Sequence, residues 1–569
     1  MSRFIEKPHP VPYLPDLRFI LRRANENFAE RVAFEDRHFP GEPERRKITY
    51  AEFYNDVNAL GTALLKLGLK GKKIAVMSEN RYDWMLTYFA TVCGAGVIIP
   101  LDRELPAGEL VNLMQRAHTS ALVYSSKQNK VISAAGSDLD FIEYMIQMDS
   151  DADEGRNLSL KGLIKEGYRY IAEGEREYLD AEIKKDDLMA IYFTSGTTGR
   201  SKGVMLSHRN VASNVENMLR RMFVAPGDKG LSVLPIHHTF EFTCENVPAM
   251  VAGATIVYCD GLKYIQKNLR DDHITVMLGV PLVYETFHKR IMAGAKQKGS
   301  EEKLRKGIKL NSTLQRFGID RSRKLFKDIY SMIGNDIRVF IVGGAPMDPE
   351  VLKDFRALGV NMFEGYGLTE TSPIIAVNAD YHQKAGTVGP PMPGTEVKID
   401  SPDDDGIGEI IARTESVMLG YFEDPEETSK VLLGDGWIAT GDYGFIDKEG
   451  FLHVTGRKKN VIVTKNGKNI FPEELEYILN KSDFIKESVV WGKEDPASGE
   501  LYINAEIVLE KDAVRTLSDD EIQAEIKKVI DDVNKSTTSY KRIKNFHTRY
   551  EEFEKTTTKK IKRHQLNLE

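Results

Sequence analysis

The residues best suited to chemistry form a loop rich in glycine, serine and threonine that ends in a lysine. The loop follows the apolar run 189–193 and consists of Thr194, Ser195, Gly196, Thr197, Thr198, Gly199, Arg200, Ser201, Lys202 and Gly203. Such a loop offers a phosphate several backbone N–H groups, several hydroxyls and one mobile cation. It lacks the Gly-Lys-Ser/Thr ending of a Walker A loop, so the pattern predicts a different kind of phosphate site. A flexible connection of the same composition is the alternative interpretation.

Two further motifs lie close together in the sequence and suit a nucleotide. The first follows the apolar run 337–342 and consists of Gly343, Gly344, Ala345 and Pro346. The second consists of Glu364, Gly365, Tyr366, Gly367, Leu368, Thr369 and Glu370. An aromatic face stacks on a base, and a carboxylate next to phosphate oxygens suits a hard cation. Alternatively, the glycine pair is a simple tight turn, Tyr366 a core residue and Glu370 a surface residue.

Two motifs nearer the C-terminus complete this set. Thr440, Gly441 and Asp442 come shortly before Gly456 and Arg457, and a basic tail contains Lys555, Thr556, Lys559, Lys560 and Ile561. An isolated Thr-Gly-Asp is most often a turn, and a basic tail can also contact nucleic acid or lipid. The order of the motifs along the chain is therefore more informative than any one of them.

In this order the motifs resemble those of the adenylate-forming enzymes, which include acyl-CoA synthetases, luciferases and peptide-synthetase adenylation domains. The resemblance covers nearly the whole chain. It implies that ATP binds with its adenine between the Tyr366 ring and the backbone of Ala345 and Pro346. It further implies that Thr369 bonds the α-phosphate and that Glu370 holds Mg²⁺, with Thr197 as a second metal ligand. The other nucleotide- or coenzyme-binding residues that it implies are Thr194, Ser195, Gly196, Thr198, Gly199, Lys202, Gly344, Glu364, Gly365, Gly367, Asp442, Arg457, Lys459 and Gly467.

The resemblance also assigns roles around the ribose and in the tail. Asp442 would accept hydrogen bonds from both ribose hydroxyls, and Arg457 would reach the ribose or the phosphates. The small C-terminal domain would pivot at Lys459. In the tail, Lys560 would bridge the substrate carboxylate and the α-phosphate. The neighbouring Lys559 is the alternative.

The tail departs from the family's closing motif at two positions. Glu554 stands where the family has proline, and Lys559 stands where it has glycine before the catalytic lysine. The match at Lys555 and Ile561 still assigns the catalytic role to Lys560.

The implied reaction begins with attack of a carboxylate on the α-phosphorus of ATP, with release of pyrophosphate. This step needs positioning and charge neutralisation more than acid–base chemistry. Glu370 with Mg²⁺, Lys202 near the outer phosphates, and Lys560 would supply both. The acyl-adenylate then meets a thiol, and residues 461–474 resemble the segment that thioester-forming members swing into the site. Gly467 there would let pantetheine pass, although an Asn-Gly pair is also a common hairpin turn.

The acyl site resembles that of long-chain acyl-CoA synthetases. Residues 234–241 match a Leu-Pro-x-x-His-x-Phe-Glu stretch, in which His238 would line the carboxylate end of the acyl site and take part in catalysis. A structural histidine is the alternative. An insertion at 289–327, which we call the basic insertion, carries thirteen Lys or Arg residues against three acids. It predicts either contact with an anionic membrane or a solvated helical hairpin.

The composition fits an ordinary globular protein. The chain has 569 residues, 41% hydrophobic and 29% charged, and is too long for one core. A net charge of −7 argues against a dedicated nucleic-acid binder. Its three cysteines, Cys93, Cys244 and Cys259, have no CxxC spacing, so neither disulfides nor a zinc site is expected. Without a signal-like start or a long apolar run, we expect a cytoplasmic protein, with peripheral contact at the inner membrane face left open.

Strand-like runs alternate with helix-like ones, as at 73–77, 84–90, 95–101 and 121–124. This alternation indicates βαβ units and a mostly parallel sheet covered on both faces. Short strands with turns follow, and the last part of the chain is long enough for a small α+β domain. With the resemblance, this predicts an α/β fold: a large N-terminal domain (1–456) with doubly wound, mostly parallel sheets and a small β-barrel-like part. A small mobile α+β domain (457–569) would carry the catalytic lysine.

The motifs together are most similar to those of long-chain fatty acid–CoA ligases. We therefore expect activation of a medium- to long-chain fatty acid by ATP and Mg²⁺, with CoA as the acceptor. An enzyme that loads an acyl carrier protein is one alternative. A non-catalytic nucleotide- or acyl-binding homologue is another, and the intact glycine-rich loop, Glu370 and Lys560 argue against it.

Overall fold

The structure, a computed structural model, describes residues 8–37, 42, 44–194, 201–464, 468–494, 500–555, 561–563 and 566. The strands, in chain order, are β1 (Val32–Asp36), β2 (Arg46–Thr49), β3 (Lys72–Met77), β4 (Gly96–Pro100), β5 (Thr119–Tyr124), β6 (Tyr144–Gln147), β7 (Asn157–Ser159), β8 (Leu188–Thr194), β9 (Lys202–Ser207), β10 (Lys229–Ser232), β11 (Thr255–Tyr258), β12 (Val276–Gly279), β13 (Val339–Val342), β14 (Asn361–Gly367), β15 (Ile374–Val377), β16 (Glu396–Asp400), β17 (Gly408–Arg413), β18 (Gly420–Tyr421), β19 (Leu432–Gly434), β20 (Trp437–Ile446), β21 (Leu452–Arg457), β22 (Ile462–Val463), β23 (Asn469–Ile470), β24 (Ile485–Glu494), β25 (Leu501–Leu509) and β26 (Ile543–Arg549).

The α-helices, in chain order, are α1 (Leu17–Phe28), α2 (Tyr50–Lys66), α3 (Tyr82–Ala90), α4 (Ala107–Arg116), α5 (Asn129–Ala135), α6 (Leu160–Ala172), α7 (His208–Arg221), α8 (Thr239–Glu241), α9 (Val247–Ala252), α10 (Ile265–Asp271), α11 (Pro281–Gln297), α12 (Glu301–Gln315), α13 (Ser322–Leu325), α14 (Lys327–Ile333), α15 (Pro349–Ala357), α16 (Pro425–Val431), α17 (Pro472–Leu479), α18 (Lys511–Val514) and α19 (Asp519–Ser536).

Two eight-stranded, mainly parallel sheets account for most of these strands. Sheet I has the order β15-β14-β13-β12-β10-β11-β1-β2, and sheet II has the order β18-β9-β8-β4-β3-β5-β6-β7. The predicted runs at 73–77, 95–101, 121–124 and 337–342 correspond to β3, β4, β5 and β13, and the helical run at 84–90 lies within α3. The expected α/β fold with parallel sheets is confirmed.

The main core lies between helices α1, α2, α3, α7 and α9 and the two sheets. It contains large aromatic side chains that are almost completely buried, among them Phe53, Trp84, Tyr88 and Phe242. Separate clusters cover the other face of each sheet, with α10, α11, α14 and α15 against sheet I and α4 against sheet II. Strands that are buried on both faces have continuous apolar sequences, which explains why β3, β4, β5 and β13 appear as apolar runs.

The remaining strands form smaller sheets. An antiparallel sheet has the order β16-β17-β20-β19, with β21 paired to β20, and it stands where a barrel-like part was expected. Strands β24, β25 and β26 form a three-stranded sheet that packs with α17 and α19 around its own apolar cluster. Helix α19 begins with a capping box between Ser518 and Glu521. This cap fixes the start of the helix.

The basic insertion is helical. It comprises the second half of α11, then α12 and α13, and ends at the first residue of α14. The buried Asn311 anchors α12 by donating to the carbonyl of Ala357 at 2.8 Å. In the part of the chain that the structure describes, no helix has the length and apolar character needed to cross a membrane.

A pair of buried carboxyl groups lies where the main core meets sheet I. Glu241 ends α8, Glu245 lies one turn later, and neither is more than 6% exposed. Glu241 accepts a hydrogen bond from Ser232. Burial raises the pKa of both carboxyls, and the charge of Glu241 raises that of Glu245 further. The folded protein therefore keeps a proton there that the unfolded chain releases near neutral pH.

The substitution Glu245→Gln should flatten the pH dependence of stability. Because the pKa of the folded state lies above that of the unfolded chain, wild-type stability falls as pH rises from about 5 toward the folded pKa. The neutral amide removes part of this loss. We expect the melting temperature of the variant to fall less than that of the wild type between about pH 6 and pH 9. The exposed control Glu426→Gln should follow the wild type, and parallel curves for Glu245→Gln would contradict the assignment.

Candidate active site

The glycine-rich loop connects two antiparallel strands of sheet II. β8 ends at Thr194, β9 begins at Lys202, and these two residues pair with each other across the strands. The predicted strand before the loop is therefore confirmed, and the chain returns directly as a second strand. The loop residues Ser195, Gly196, Thr197, Thr198 and Gly199 lie outside the described residues.

Lys202 is held by a carboxylate and an aromatic ring. Its ammonium group forms an ion pair with Glu427 and lies 4.8 Å from the centre of the Tyr421 ring. Glu427 also contacts Lys430 at 2.6 Å, and Lys202 and Lys430 lower the pKa of the Glu427 carboxyl to about 2. Contacts within the protein therefore fix the position of the Lys202 ammonium group.

Glu370 lies next to this lysine in the short 3-10 turn Thr369–Thr371. The Tyr421 hydroxyl donates to Glu370 Oε1 at 2.8 Å, and the backbone N–H of Met418 donates to the Glu370 carbonyl at 2.9 Å. Because Tyr421 contacts both Lys202 and Glu370, the structure brings two of the predicted catalytic residues to one place.

Helix α7 supports the Glu370 turn from inside the core. Asn214 donates to the carbonyls of Thr371 and Ile374 at 3.2 and 2.9 Å and accepts from the N–H of Ile374 at 3.2 Å. Asn214 is completely buried, so loss of these partners would leave an unsatisfied amide in the core. A mid-helix asparagine therefore fixes the position of a turn far away in the sequence.

The two glycine-containing motifs of sheet I lie side by side. β13 and β14 are parallel neighbours, with Val342 opposite Glu364, and the turn 343–346 follows β13. The Glu364 carboxylate accepts from the backbone N–H of Met347 at 3.2 Å, and burial raises its pKa to about 7. Glu364 therefore braces the turn from behind. Exposed residues of this turn are Gly344, Ala345 and Pro346.

Tyr366, Asp442 and Arg457 form one hydrogen-bonded group. The Tyr366 hydroxyl donates to Asp442 Oδ2 at 2.6 Å, and Arg457 Nε lies 3.0 Å from Asp442 Oδ1. Asp442 and Arg457 stand opposite each other on β20 and β21. Burial and the Asp442 charge raise the pKa of Tyr366, so the phenol keeps its proton and remains a donor. Three predicted nucleotide-site residues from distant parts of the sequence therefore meet.

Gly367 follows Tyr366 at a point where the backbone just before β15 comes close. A β-carbon on Gly367 would lie 1.8 Å from the Pro373 carbonyl oxygen, which no side chain can accommodate. Gly365 faces Val377 in the antiparallel pairing of β14 and β15. The lack of a side chain at Gly367 thus lets the Glu370 turn pack against the end of β14.

His238 lies at the start of α8, with its ring 4.1 Å from that of His237. Two residues later, the Phe240 ring lies against Gly343, where a β-carbon would come within 2.8 Å of it. The His238 segment is therefore adjacent to the turn that follows β13.

An apolar cavity of ≈ 200 Å³ lies behind Phe240, against one face of sheet I. Leu234 and Phe240 pack on the same apolar cluster that lines it. Its apolar lining includes Met218 of α7, Met222 just after α7, and the strand residues Leu278, Ile341 and Phe363. The charged residues that also line it are Asp228, Glu245, Arg338 and Asp380. Nothing in the sequence pattern pointed to these apolar residues as a set, because they come from four separate elements.

The C-terminal part reaches the site through the segment after β21. Lys459 lies in the short turn Lys458–Asn460, and burial together with the charges of Arg457 and Arg563 lowers its pKa. Gly467 and Lys560 lie outside the described residues. Lys555 and Ile561, which flank the Lys560 segment, pair with each other as an isolated bridge.

Three residues at the site were not singled out from the sequence: Asn214, Tyr421 and Glu427. Asp424 caps α16, Pro425 is its first residue and Glu427 lies in its first turn. This residue pattern indicates the start of a helix from the sequence alone. The contacts of Tyr421 and Glu427 with the site were not readable, because they join residues that are far apart in the chain.

Comparisons with known proteins show the family of this chain. The family model described as AMP-binding enzyme matches residues 21–422, and the model described as AMP-binding enzyme C-terminal domain matches residues 459–568. The chain is similar to the long-chain-fatty-acid–CoA ligase FadD15 of Mycobacterium bovis, with 29% identity over 473 residues, 80% of this chain and 76% of the relative.

Two other similar proteins extend the comparison. The chloroplastic long-chain-fatty-acid–[acyl-carrier-protein] ligase AEE15 of Arabidopsis thaliana is 27% identical over 555 residues, 85% of this chain and 75% of the relative. ATP-bound MatB from Rhodopseudomonas palustris has a similar structure, with a TM-score of 0.73, 25% identity and coverage of 96% of this chain and 97% of that one. Since family models match the large and the small part of the chain in turn, this protein belongs to the AMP-binding enzyme family.

Proposed function

We propose that this protein activates a long-chain fatty acid with ATP and transfers the acyl group to the thiol of CoA, releasing AMP and pyrophosphate. Two assemblies carry this proposal. Tyr421 joins Lys202 to Glu370, and Tyr366 near the end of β14 donates to Asp442 of β20. Relatives named as long-chain fatty acid–CoA ligases support the choice of substrate and acceptor.

Adenosine would bind at the group formed by Tyr366, Asp442 and Arg457. Tyr366 lies near the end of β14, and its ring would offer an aromatic face to adenine beside the exposed Ala345 and Pro346. Asp442 contacts Tyr366 through Oδ2 and Arg457 through Oδ1, and a carboxylate oxygen can accept more than one hydrogen bond, so Asp442 would also accept from the ribose hydroxyls.

The triphosphate would lie across Lys202 and the turn that begins at Thr369. The Glu370 carboxylate, together with phosphate oxygens, is the kind of hard oxygen donor set that Mg²⁺ prefers, so the residues present fit the metal. When bound there, Mg²⁺ would neutralise phosphate charge. Lys202 would bind the outer phosphates, and Lys560 would bridge the attacking carboxylate and the α-phosphate.

The acyl chain would occupy the apolar cavity behind Phe240, with His238 near its carboxylate end. The carboxylate oxygen attacks the α-phosphorus, and the bond from that phosphorus to the bridging oxygen of pyrophosphate breaks. In the second step a thiolate attacks the acyl carbonyl, and AMP leaves with the former carboxylate oxygen. Burial of the acyl chain against apolar side chains would favour long acids over short ones by about 0.8 kcal/mol per methylene group.

The small domain is proposed to begin at residue 457 and to pivot at Lys459 between the two steps. Support comes from the apolar clusters: the one around β24–β26 contains only residues after Lys459, and the three clusters that cover sheets I and II contain only residues before Gly456. Gly467 would line the path of the pantetheine thiol. The similarity to an acyl-carrier-protein ligase favours a carrier protein as the second candidate acceptor.

Carboxylic acid-dependent AMP release tests the function. Acids from short to long chain and simple aryl acids are each supplied with Mg²⁺ and ATP, once with CoA and once with holo-acyl carrier protein. We expect AMP release to depend on CoA and to increase with chain length. Release that depends only on the carrier protein would move the function to the second candidate, and release of phosphate without AMP would contradict both.

We further propose that the basic insertion contacts an anionic membrane. Its outer surface exposes Phe317 at 77%, Leu310 at 53% and Ile319 at 43% among lysine and arginine residues. Arg305 and Lys306 are already paired with Glu301 and Glu302 within α12. Apolar side chains between cations suit the headgroup region of a bilayer, where a fatty acid substrate partitions.

Lys560→Ala should abolish acyl-adenylate formation but leave thioester formation from synthetic acyl-AMP nearly unchanged. The lysine would stabilise charge only while ATP is attacked, and loss of such a preorganised group costs about a hundredfold to a thousandfold. Fatty acid-dependent ATP–pyrophosphate exchange measures the first step. If Lys559→Ala is the crippling change and Lys560→Ala is mild, the catalytic lysine is Lys559.

The combined substitution of Lys309, Arg316 and Arg321 by Gln should weaken binding to anionic vesicles about a hundredfold, since each cation contributes about 1 kcal/mol. Phe317→Ser should weaken it separately and at high salt as well. Vesicle co-sedimentation at low and high salt measures both effects. Substituting the exposed Lys130 instead should change nothing, and absence of wild-type binding at low salt would leave the insertion a solvated hairpin.

A further inference from the structure

One segment connects the lysine of the phosphate site with the carboxylate that faces it. This bridging segment, residues 418–431, contains β18 and α16. β18 pairs antiparallel with β9, so that Tyr421 stands opposite Val204, two residues after Lys202. At its other end, the Met418 N–H donates to the Glu370 carbonyl at 2.9 Å. The segment therefore joins the edge of sheet II to the Glu370 turn.

Within this segment, the Tyr421 side chain contacts both charged groups. Its hydroxyl donates to Glu370 Oε1 at 2.8 Å, while Lys202 Nζ lies 4.8 Å from the centre of its ring. The side chain is only 6% exposed, so neighbouring atoms fix its rotamer.

Glu427 completes the arrangement from α16. The ion pair between Glu427 and Lys202 holds the ammonium group above the Tyr421 ring. Because Glu427 also contacts Lys430, its negative charge stays neutralised when Lys202 binds another anion. A lysine side chain that is already ordered loses less conformational entropy on binding a phosphate. The Tyr421 side chain thus sets the spacing between the Lys202 ammonium group and the Glu370 carboxylate.

We propose that Tyr421 is a positioning residue of the phosphate site: its hydroxyl orients Glu370 for the divalent cation, and its ring sets the position of Lys202. The inference rests on the proposed ATP-dependent activation. The two halves of the side chain act on different ligands, so they can be separated by substitution. A residue that merely filled space would affect both ligands equally.

Tyr421→Phe removes the donor to Glu370 and keeps the ring under Lys202. A hydrogen bond to a charged group contributes enough that its loss should raise the half-saturating Mg²⁺ concentration about tenfold. The KM for ATP at saturating Mg²⁺ should change less than about threefold, because the ring remains. Tyr421→Leu removes both contacts and should raise both constants.

Binding can be measured without turnover. Electron paramagnetic resonance of Mn²⁺ with α,β-methylene-ATP reports metal affinity directly, and the Tyr421→Phe protein should bind Mn²⁺ about tenfold more weakly than the wild type. In a Glu370→Gln background, Tyr421→Phe should have no further effect on Mn²⁺ affinity, because its partner is gone. Tyr168→Phe is a matched control, since Tyr168 donates to Asp56 at 2.7 Å away from this site.

Two results overturn the inference. One is unchanged Mn²⁺ and Mg²⁺ affinity in Tyr421→Phe; the other is an equal rise of the metal and ATP constants together with a lower melting temperature. Wild-type protein that binds Mn²⁺ with the nucleotide but shows no acid-dependent exchange contradicts the proposed function alone. In that case the Mn²⁺ comparison still decides the role of Tyr421.

Discussion

The charged groups of this site are held in place by one another and by two tyrosines. Lys202 is paired with Glu427, Glu370 accepts from Tyr421, and Asp442 lies between Tyr366 and Arg457. Groups that are already oriented need little rearrangement when charge develops on a substrate, and such preorganisation is the main source of electrostatic catalysis. The remainder of the structure serves to bring these groups from separate segments to one place.

The two large sheets accomplish this by where their strands end. In sheet I the turn after β13 and the end of β14 lie side by side, as expected for a ligand site at the carboxyl ends of parallel strands. Sheet II contributes the β8–β9 hairpin, and β18 fastens that hairpin to the Glu370 turn. The polar, buried helix α7 links the parts from within through Asn214. The largely apolar cavity lies beside the same strands, so the proposed acyl and phosphate sites would share one framework.

Sequence alone located the strands β3, β4, β5, β8 and β13 and the motifs at their ends, because buried parallel strands are continuous apolar runs and the motif residues are local. It did not locate Tyr421 or Glu427. Their roles depend on the pairing of β18 with β9, and a two-residue strand has no periodicity to read. Glu364 remains a predicted ligand-binding residue, but the sequence did not show that its carboxylate accepts from the Met347 N–H and braces the turn. The direction of a side chain at the end of a strand depends on register, which the motif does not encode.

The path of an oxygen atom tests the central chemistry most directly. A fatty acid labelled with ¹⁸O in both carboxylate oxygens is converted with ATP, Mg²⁺ and CoA, and the products are analysed by mass spectrometry. Attack of the carboxylate on the α-phosphorus predicts that one labelled oxygen appears in AMP and none in pyrophosphate. Label in phosphate or pyrophosphate, or unlabelled AMP formed together with acyl-CoA, would contradict an acyl-adenylate intermediate.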